Sequence, residues 1–400
     1  MSAIYRFVIL TLMLSLNIAY ANVQNHDSGY LQNISKAHAS HDNRLEKFDA
    51  DMSFVIFDLK YNNLDGVKIC EIQPGGVSVF SGYDYLMEGN GLVPEMLCDF
   101  ISKFQSNVWY TEKAICDKKC MLKFASMGWK KVNNVSELKK DKNFIKASLG
   151  RVKDPYNLNN YHGILYAKPE EMPLENLREK YPGVIIMDAA LYSNIRNKHV
   201  MDALLKSSPK LSNLRPISKI YPKKYSKNLV NSIIQDIKSD FFVIKPISST
   251  KGQGVIIIDK DNLDSTLEYI LSKENKRALS SNPESAYSYW ASDKQALFLV
   301  EQFIESIPVE APQFDNKLYD GTMRVVGLLL YHQQKVKFEL LEAHWKLPKK
   351  SISDIGTITE KHKSFGNVPH FSHVDTAIIE KVKQQIEEAF AELYELNLSH

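Results

Sequence analysis

The residues best suited to chemistry in this chain are a lysine and a small-residue loop within the segment 241–258, FFVIKPISSTKGQGVIII. The apolar run predicts a strand ending at Lys245, which would place an ammonium group at a defined position beside a bound polyanion. The loop that follows, 248–254, offers backbone N–H groups and two glycines free to adopt positive φ, so it could lie over phosphates. It is not a P-loop, because a strand rather than a helix follows it. An ordinary β-turn is the alternative interpretation.

Carboxylates lie on a second predicted element, a hairpin near the start of the chain. Its strands, 53–61 and 66–73, are joined by a turn rich in Asn, Asp and Gly, residues that tolerate positive φ. The strands carry Asp58 and the triplet Glu71-Ile72-Gln73. On adjacent antiparallel strands such side chains can converge on one face. Two solvated strand carboxylates are the alternative.

Elsewhere, hydrophobic periodicity predicts a mixture of strands and helices, and therefore an α+β fold. The final helix is the clearest, with apolar residues at helical spacing that core burial explains. Residues 81–182 show no pattern that assigns them a role, although part of them is expected to form an additional N-terminal α/β region. The other predicted elements are a helix at 90–105, a strand at 183–191, helices from 197 and at 226–239, a strand at 297–304, and a hairpin beginning with 323–332.

Length and composition indicate an ordinary globular protein. A chain of 400 residues is too long for one small core and suggests two or three packed subdomains. Apolar residues make up 44% and charged residues 24%, and the formal charge is +3. Because the lysines are scattered among acids, the sequence excludes an electrostatic footprint for nucleic acid.

The N-terminus has the parts of a secretory signal peptide. Arg6 precedes the apolar stretch 7–19, which runs into Ala19-Tyr20-Ala21. We therefore expect residues 1–21 to be removed and residues 22–52, which are polar and aperiodic, to form a flexible lead-in. The expected location is periplasmic or secreted, with no stable membrane span after removal of the signal; a buried first helix is the alternative.

Cysteines and histidines do not indicate a metal centre. An even number of cysteines in an exported chain permits disulfides, and a bridge between Cys116 and Cys120 is compatible with the sequence. Cys70 and Cys98 are predicted to be small buried hydrophobes. The histidines of the last third lack metal-ligand spacing and are predicted to lie in loops or on the surface: His332, His344, His362, His370 and His373.

A strand ending in Lys-Pro, a small-residue loop and a second strand resemble the nucleotide lid of ATP-grasp enzymes. The resemblance implies that Lys245 contacts the nucleotide and that the loop covers its phosphates through Ser248, Ser249, Thr250, Gly252 and Gly254. It also implies a second phosphate-binding lysine upstream. Lys198, at a predicted helix start, fits that place, and Lys206 and Lys219 are competitors; a solvated helix-start lysine is the alternative.

Two further motifs support the resemblance. The strand LFLVEQFI matches the adenine hinge, which implies that Glu301 and the backbone of Gln302, Phe303 and Ile304 face the base. Arg324, in DGTMRVVG, matches an arginine that contacts the transferred phosphate in the family. The planar fork of Arg suits pairs of phosphate oxygens.

The metal ligands of the family normally follow that arginine, but here they are found at the front of the chain. Asp58, Glu71 and Gln73 resemble the ligand set of circularly permuted ATP-grasp ligases, the glutathionylspermidine synthase and eukaryotic glutathione synthetase groups. The resemblance implies that these three residues bind Mg²⁺ between phosphates. Gln73 departs from the Asn of the family and reaches one methylene further.

The resemblance covers about residues 54–80 and 183–395, in scattered motifs whose order carries it. It implies that residues 183–400 form the ATP-grasp nucleotide-binding domain, and that 53–182 contain the metal hairpin and a substrate-binding part. The implied activity is an ATP-dependent carboxylate–amine or carboxylate–thiol ligase that uses ATP and Mg²⁺. Its substrate would be a small peptide, an amino-acid-like molecule or a target protein. A catalytically inactive exported protein that binds a nucleotide or a partner is the alternative.

Overall fold

The computed structural model describes residues 49–77, 80–104, 107–111, 118–167, 180–188, 191, 195, 198–249 and 252–396. The predicted signal peptide 1–21, most of the lead-in, the side chains of Cys116 and Cys120, and Thr250 of the loop lie outside this description. The described part is α+β, as expected, with sheets of five, four, four and two strands.

The elements are numbered here in chain order. The strands are β1 Asp51–Asn62, β2 Gly66–Pro74, β3 Val108–Thr111, β4 Lys130–Val132, β5 Ile164–Tyr166, β6 Ile185–Ile186, β7 Ser218–Pro222, β8 Phe241–Pro246, β9 Ile256–Asp259, β10 Leu297–Gln302, β11 Val309–Ala311, β12 Lys317–Tyr319, β13 Thr322–His332, β14 Lys335–Lys346 and β15 Phe371–His373. The α-helices are α1 Ser81–Leu86, α2 Leu92–Phe104, α3 Lys118–Ser126, α4 Val135–Leu138, α5 Lys142–Ser148, α6 Lys198–Leu205, α7 Pro209–Asn213, α8 Lys227–Ile237, α9 Leu263–Leu271, α10 Lys276–Ser280, α11 Ser285–Ser292, α12 Ile358–His362 and α13 Thr376–Leu396.

A five-stranded antiparallel sheet in the order β15-β14-β13-β1-β2 pairs strands from residues 51–74 with strands from residues 322–373. The predicted front hairpin is confirmed as β1 and β2, and the predicted rear hairpin as β13 and β14. β1 pairs with β13, so Asp58 lies directly opposite Glu71 on one side and Arg324 on the other. We call this the central sheet.

The central sheet is covered on both faces, which explains why β1 is buried along almost its whole length. One face packs on the confirmed C-terminal helix α13 through residues such as Phe57 and Phe390. The other face packs on α2 and on the parallel sheet through residues such as Ile56, Leu97 and Tyr110. Along this second face β1 changes from apolar residues to Asp58 and Lys60, which marks where the core ends.

A four-stranded antiparallel sheet in the order β7-β10-β8-β9 carries the lysine and the small-residue loop. We call this the lid sheet. Three of its strands, β8, β9 and β10, were predicted, whereas β7 was not. Helix α8 begins where Ser226 accepts a hydrogen bond from the N–H of Leu229, at 3.1 Å. Helices α8, α9 and α11 pack on it through residues such as Ile233, Leu267 and Trp290. The loop between β8 and β9 thus projects from a rigid support.

The region that the sequence left unassigned contains a parallel sheet in the order β4-β3-β5-β6. Together with α2 to α5 it forms the expected α/β region. The predicted strand 183–191 is only two residues long, and Asp188 follows it with a φ of 66°. The Oδ1 atom of Asp188 accepts the N–H of Phe54 at 2.6 Å, which ties this sheet to β1. None of the described helices is long and apolar enough to cross a bilayer.

Candidate functional site

The three predicted metal ligands lie together on the face of the central sheet that packs against the parallel sheet. Asp58 and Glu71 are register partners, and Gln73 is the partner of Ile56. The Nε2 atom of Gln73 lies 3.1 Å from Glu71 Oε2 and 3.4 Å from Asp58 Oδ2. The strand pairing therefore brings the two carboxylates and the amide within reach of one another, as the alternating pattern predicted.

Arg324 lies beside this group and forms a bidentate ion pair. Its Nε and Nη2 atoms each donate to a carboxylate oxygen of Asp58 at 3.0 Å. Lys346, at the end of β14, donates to Asp58 Oδ2 at 2.8 Å. Burial alone would raise the pKa of Asp58, but the charges and hydrogen bonds of Arg324 and Lys346 outweigh it and hold that pKa well below its usual range.

Lys346 was missed in the sequence because no motif surrounds it. Its partner Asp58 lies 288 positions earlier in the chain, and only the pairing of β14, β13 and β1 brings them together. Its place at the end of an apolar strand, like that of Lys245, is the signal that could have found it.

The residues present fit a magnesium ion only in part. Glu71 and Gln73 offer oxygen atoms at an edge where Glu71 is 27% exposed. Asp58 is only 6% exposed, and Arg324 and Lys346 already occupy both of its oxygens. No cluster of three His, Cys, Asp or Glu side chains with metal-binding geometry occurs in the described ranges. Coordination by Asp58 stays a prediction, and Glu71 with Gln73 is the better-placed pair.

Lys245 is buried at the end of β8, where it contacts the front hairpin. Its Nζ atom lies 2.5 Å from Glu301 Oε2 and 3.4 Å from the carbonyl oxygen of Cys70. The strand that carries Lys245 and the front hairpin are therefore adjacent in space, although 175 positions separate Lys245 from Cys70.

The structure gives Glu301 a role that the sequence did not suggest. Its side chain is 2% exposed, and its two oxygens contact Lys245 and Arg215. Arg215 in turn donates to Asp202 at 3.1 Å and to the carbonyl oxygen of Ile69 at 3.0 Å. A carboxylate shared by two buried cations is satisfied within the protein, so it is not directed at a base. Arg215 and Asp202 were also missed, because neither belongs to a local pattern.

Lys198 is the lysine that reaches the loop. It begins α6, donates to the carbonyl oxygen of Ser249, and has its Nζ atom 3.7 Å from Glu71 Oε1. Its two competitors are engaged elsewhere: Lys206 with Asp202 at 2.6 Å and the exposed Lys219 with Asp236 at 2.8 Å. Burial lowers the pKa of Lys198, against the raising effect of the Glu71 carboxylate.

The loop between β8 and β9 has the backbone that its glycines predicted. Gly252 and Gly254 have φ values of 68° and 71°. Trp290 donates its indole N–H to the carbonyl oxygen of Gly254 at 2.9 Å, which holds the second end of the loop. Ser249 is buried and Ser248 is exposed, so the two hydroxyl groups differ in access.

At the predicted hinge, most backbone donors are already used. The N–H of Gln302 donates to Ile217 O at 2.7 Å, and that of Phe303 donates to Phe241 O at 3.3 Å. Among the hydrogen bonds of the described residues, none uses the N–H of Ile304. Of the predicted hinge, Ile304 therefore offers the backbone donor that a base could use.

Two histidines occupy positions that the sequence did not predict. His344 is 1% exposed, and its Nδ1 atom lies 2.8 Å from Glu342 Oε2, so its surface assignment was wrong. His362 lies beside the hinge, with its ring 4.9 Å from that of Phe303 and its Nδ1 atom 2.8 Å from Asp320 Oδ2. The pairing of β14 with β13 and β15 buries His344, whereas His362 is partly buried at the end of α12; neither arrangement is visible in local spacing.

Comparisons with known proteins give distant structural likenesses. No protein family and no curated protein sequence matches the chain. One similar solved structure is a candidate gamma-glutamylcysteine synthetase from Methylobacillus flagellatus KT, 11% identical, with a TM-score of 0.39 over 87% of this chain and 90% of the other. Another is the apo form of a glutathione synthetase-like effector from Globodera pallida, 12% identical, with a TM-score of 0.36 over 80% of each chain.

Proposed function

We propose that this chain is an ATP-dependent ligase of the ATP-grasp type that joins a carboxylate to an amine or thiol. The observation that carries the proposal is the meeting of the lid sheet with the front hairpin. Lys198 contacts both Glu71 and the loop at Ser249, and Lys245 contacts the backbone at Cys70. Lysines, a glycine loop and carboxylates in one place are what binding a metal–polyphosphate complex requires.

The proposed reaction has two steps, and each conserves atoms and charge. An oxygen of the substrate carboxylate attacks the γ-phosphorus of ATP, and the bond to the bridging oxygen breaks, so that ADP leaves. The amine or thiol then attacks the carbonyl carbon of the acyl phosphate and inorganic phosphate departs. A proton of the nucleophile is released in this second step.

The residues act mainly through position and charge. Lys198 and Lys245 hold the phosphates, and the loop from Ser248 to Gly254 covers them. Arg324, kept in orientation by its two hydrogen bonds to Asp58, stabilises the charge on the transferred phosphoryl group. A magnesium ion, when bound by Glu71 and Gln73, would neutralise charge between the phosphates.

A catalytically inactive nucleotide-binding protein is the second candidate. The specific observation that favours it is the saturation of Asp58 by Arg324 and Lys346, which leaves Glu71 and Gln73 as a weak metal pair. Export through the predicted segment 1–21, which we propose but which lies outside the described residues, would also place the chain where ATP is scarce.

Thermal unfolding of the protein with ATP, in the presence and absence of Mg²⁺, tests the proposal. Ligand at about a hundredfold excess over its Kd should stabilise the fold by about 2.7 kcal/mol. A Mg²⁺-dependent shift that Glu71→Ala abolishes is the expected result, followed by ADP release with amine acceptors that Lys245→Ala removes. A shift in unfolding temperature that does not depend on Mg²⁺ would favour the second candidate. No shift at millimolar ATP would contradict both candidates.

A further inference from the structure

The segment that connects β14 to β15 packs against the lid sheet, at β9 and at the hinge residue Phe303. Its short helix α12 begins with a capping box, in which Thr357 and Glu360 exchange hydrogen bonds. Thr359 Oγ1 donates to the carbonyl oxygen of Ile257 in β9 at 3.4 Å, while His362 packs on Phe303 of the hinge. The residue after the helix, Lys363, is therefore held at a fixed place.

That place is against the glycine loop. A Cβ atom built on Gly252 would lie 3.2 Å from Lys363 Cε and 4.0 Å from its Nζ atom. Lys363 is half-buried, and the end of its side chain lies beside Gly252. This lysine thus adjoins the same loop that Lys198 contacts through Ser249.

Lys363 differs from the other two lysines in having no acid. Lys198 lies near Glu71 and Lys245 pairs with Glu301, but Lys363 is within ion-pair distance of no carboxylate among the described residues. The carboxylate of Glu360 is engaged by Thr357. Burial, and then the like charge of Lys349, lowers the pKa of Lys363. An anion beside Lys363 would favour its charged form.

We propose that Lys363 is a further binding site for the phosphate groups of the nucleotide. The inference rests on the proposed function, because it places this cation at the loop that would cover a polyphosphate. The ligand class is a nucleoside triphosphate or another linear polyphosphate, which a lysine ammonium group contacts as a point charge. The segment between β14 and β15 would then line the nucleotide site, with His362 beside the base and Lys363 beside the phosphates.

Calorimetric titration of the full chain with ATP, adenosine and inorganic tripolyphosphate tests this inference. We expect Lys363→Ala to weaken the binding of ATP and of tripolyphosphate about tenfold and to leave the affinity for adenosine unchanged, because only the phosphates lose a charge-assisted contact. Lys363→Arg should restore most of the affinity. Lys361→Ala is the matched control, since Lys361 lies two residues away and donates to Ile352 O at 3.1 Å.

Several outcomes would overturn the inference. ATP affinity unchanged in Lys363→Ala would contradict it, and so would an equal loss for adenosine or a lower unfolding temperature without ligand, which indicate a structural role. Wild-type protein that binds tripolyphosphate through Lys363 but not ATP would refute the proposed function and leave the anion site. Wild-type protein that binds neither would refute both.

Discussion

The central sheet and the glycine loop use positive charge in opposite ways. At the central sheet, Arg324 and Lys346 both contact Asp58, at 3.0 and 2.8 Å, so each cation has a carboxylate partner inside the protein. At the loop, Lys363 adjoins Gly252 and lies within ion-pair distance of no carboxylate of the described residues. The comparison indicates that an internal carboxylate holds the cations of the central sheet, which stabilises the fold and orients Arg324 for its proposed contact, whereas Lys363 has no such partner and remains available to an anionic ligand.

The strongest test of this contrast is Asp58→Asn. It leaves two buried cations without the carboxylate they share, and breaking a buried pair typically costs about 3–5 kcal/mol in the free energy of unfolding. Urea denaturation at neutral pH measures the effect. Asp264→Asn is the control, because it removes an exposed ion pair with Lys227 and alters one hydrogen bond from Tyr225 but leaves no buried cation unpaired, so it should change stability much less.

The same variant has a defined pH dependence. Because the folded pKa of Asp58 is depressed, its stabilising contribution is complete above the unfolded pKa of 3.8 and is lost as pH falls through the folded pKa. The difference between wild type and Asp58→Asn should therefore shrink in acid. Equal losses of stability in Asp58→Asn and Asp264→Asn would mean that the charges at Asp58 stabilise the fold no more than surface charges do.

A second test concerns Asp188, whose carboxyl group links the parallel sheet to β1. Burial raises the pKa of Asp188 to about 8, against the hydrogen bond from the Phe54 N–H, and Asp51 adds to the rise. In the folded protein Asp188 then holds a proton that the unfolded chain has lost, so stability falls as pH rises from 3.8 to about 8.

Asp188→Asn should remove that fall in stability, because the Asn side chain keeps an acceptor oxygen and stays neutral. We expect the free energy of unfolding of the variant to exceed that of wild type by on the order of 2 kcal/mol at pH 8, with the difference vanishing near pH 4. Asn also tolerates the positive φ at this position. Denaturation curves across this pH range measure it, and a constant difference would show that Asp188 is already ionised in the fold.

The smallest expected effect concerns the loop itself. Gly252→Ala should cost about 1–2 kcal/mol, the penalty of a left-handed backbone with a Cβ. It should also weaken ATP binding, because the new methyl group would lie 3.2 Å from Lys363 Cε and displace that side chain. Gly91→Ala is the matched control, since Gly91 has a φ of 76° and nothing within 4 Å of an added Cβ. Equal ATP affinity in both variants would separate the loop from nucleotide binding.

Local patterns in the sequence were sufficient for most elements near the site. The alternation on the two hairpins, the strand before Lys245 and the stripe on the last helix all depend on residues a few positions apart, and all were confirmed. The parallel sheet was not found, because its strands are only two to four residues long and too short to show a period.

By itself, then, the sequence determined most strands and helices near the site, the two positive-φ glycines of the loop, and which residue types could bind phosphate. Only the tertiary structure decided which charges meet: Arg324 reaches Asp58 across 266 positions, and Arg215 reaches Glu301 across 86. The physical reason is that secondary structure follows from periodicity within a few residues, whereas an ion pair depends on which strands become neighbours in a sheet. The same limit explains why Lys346, Arg215 and Lys363 were recognised only in the fold.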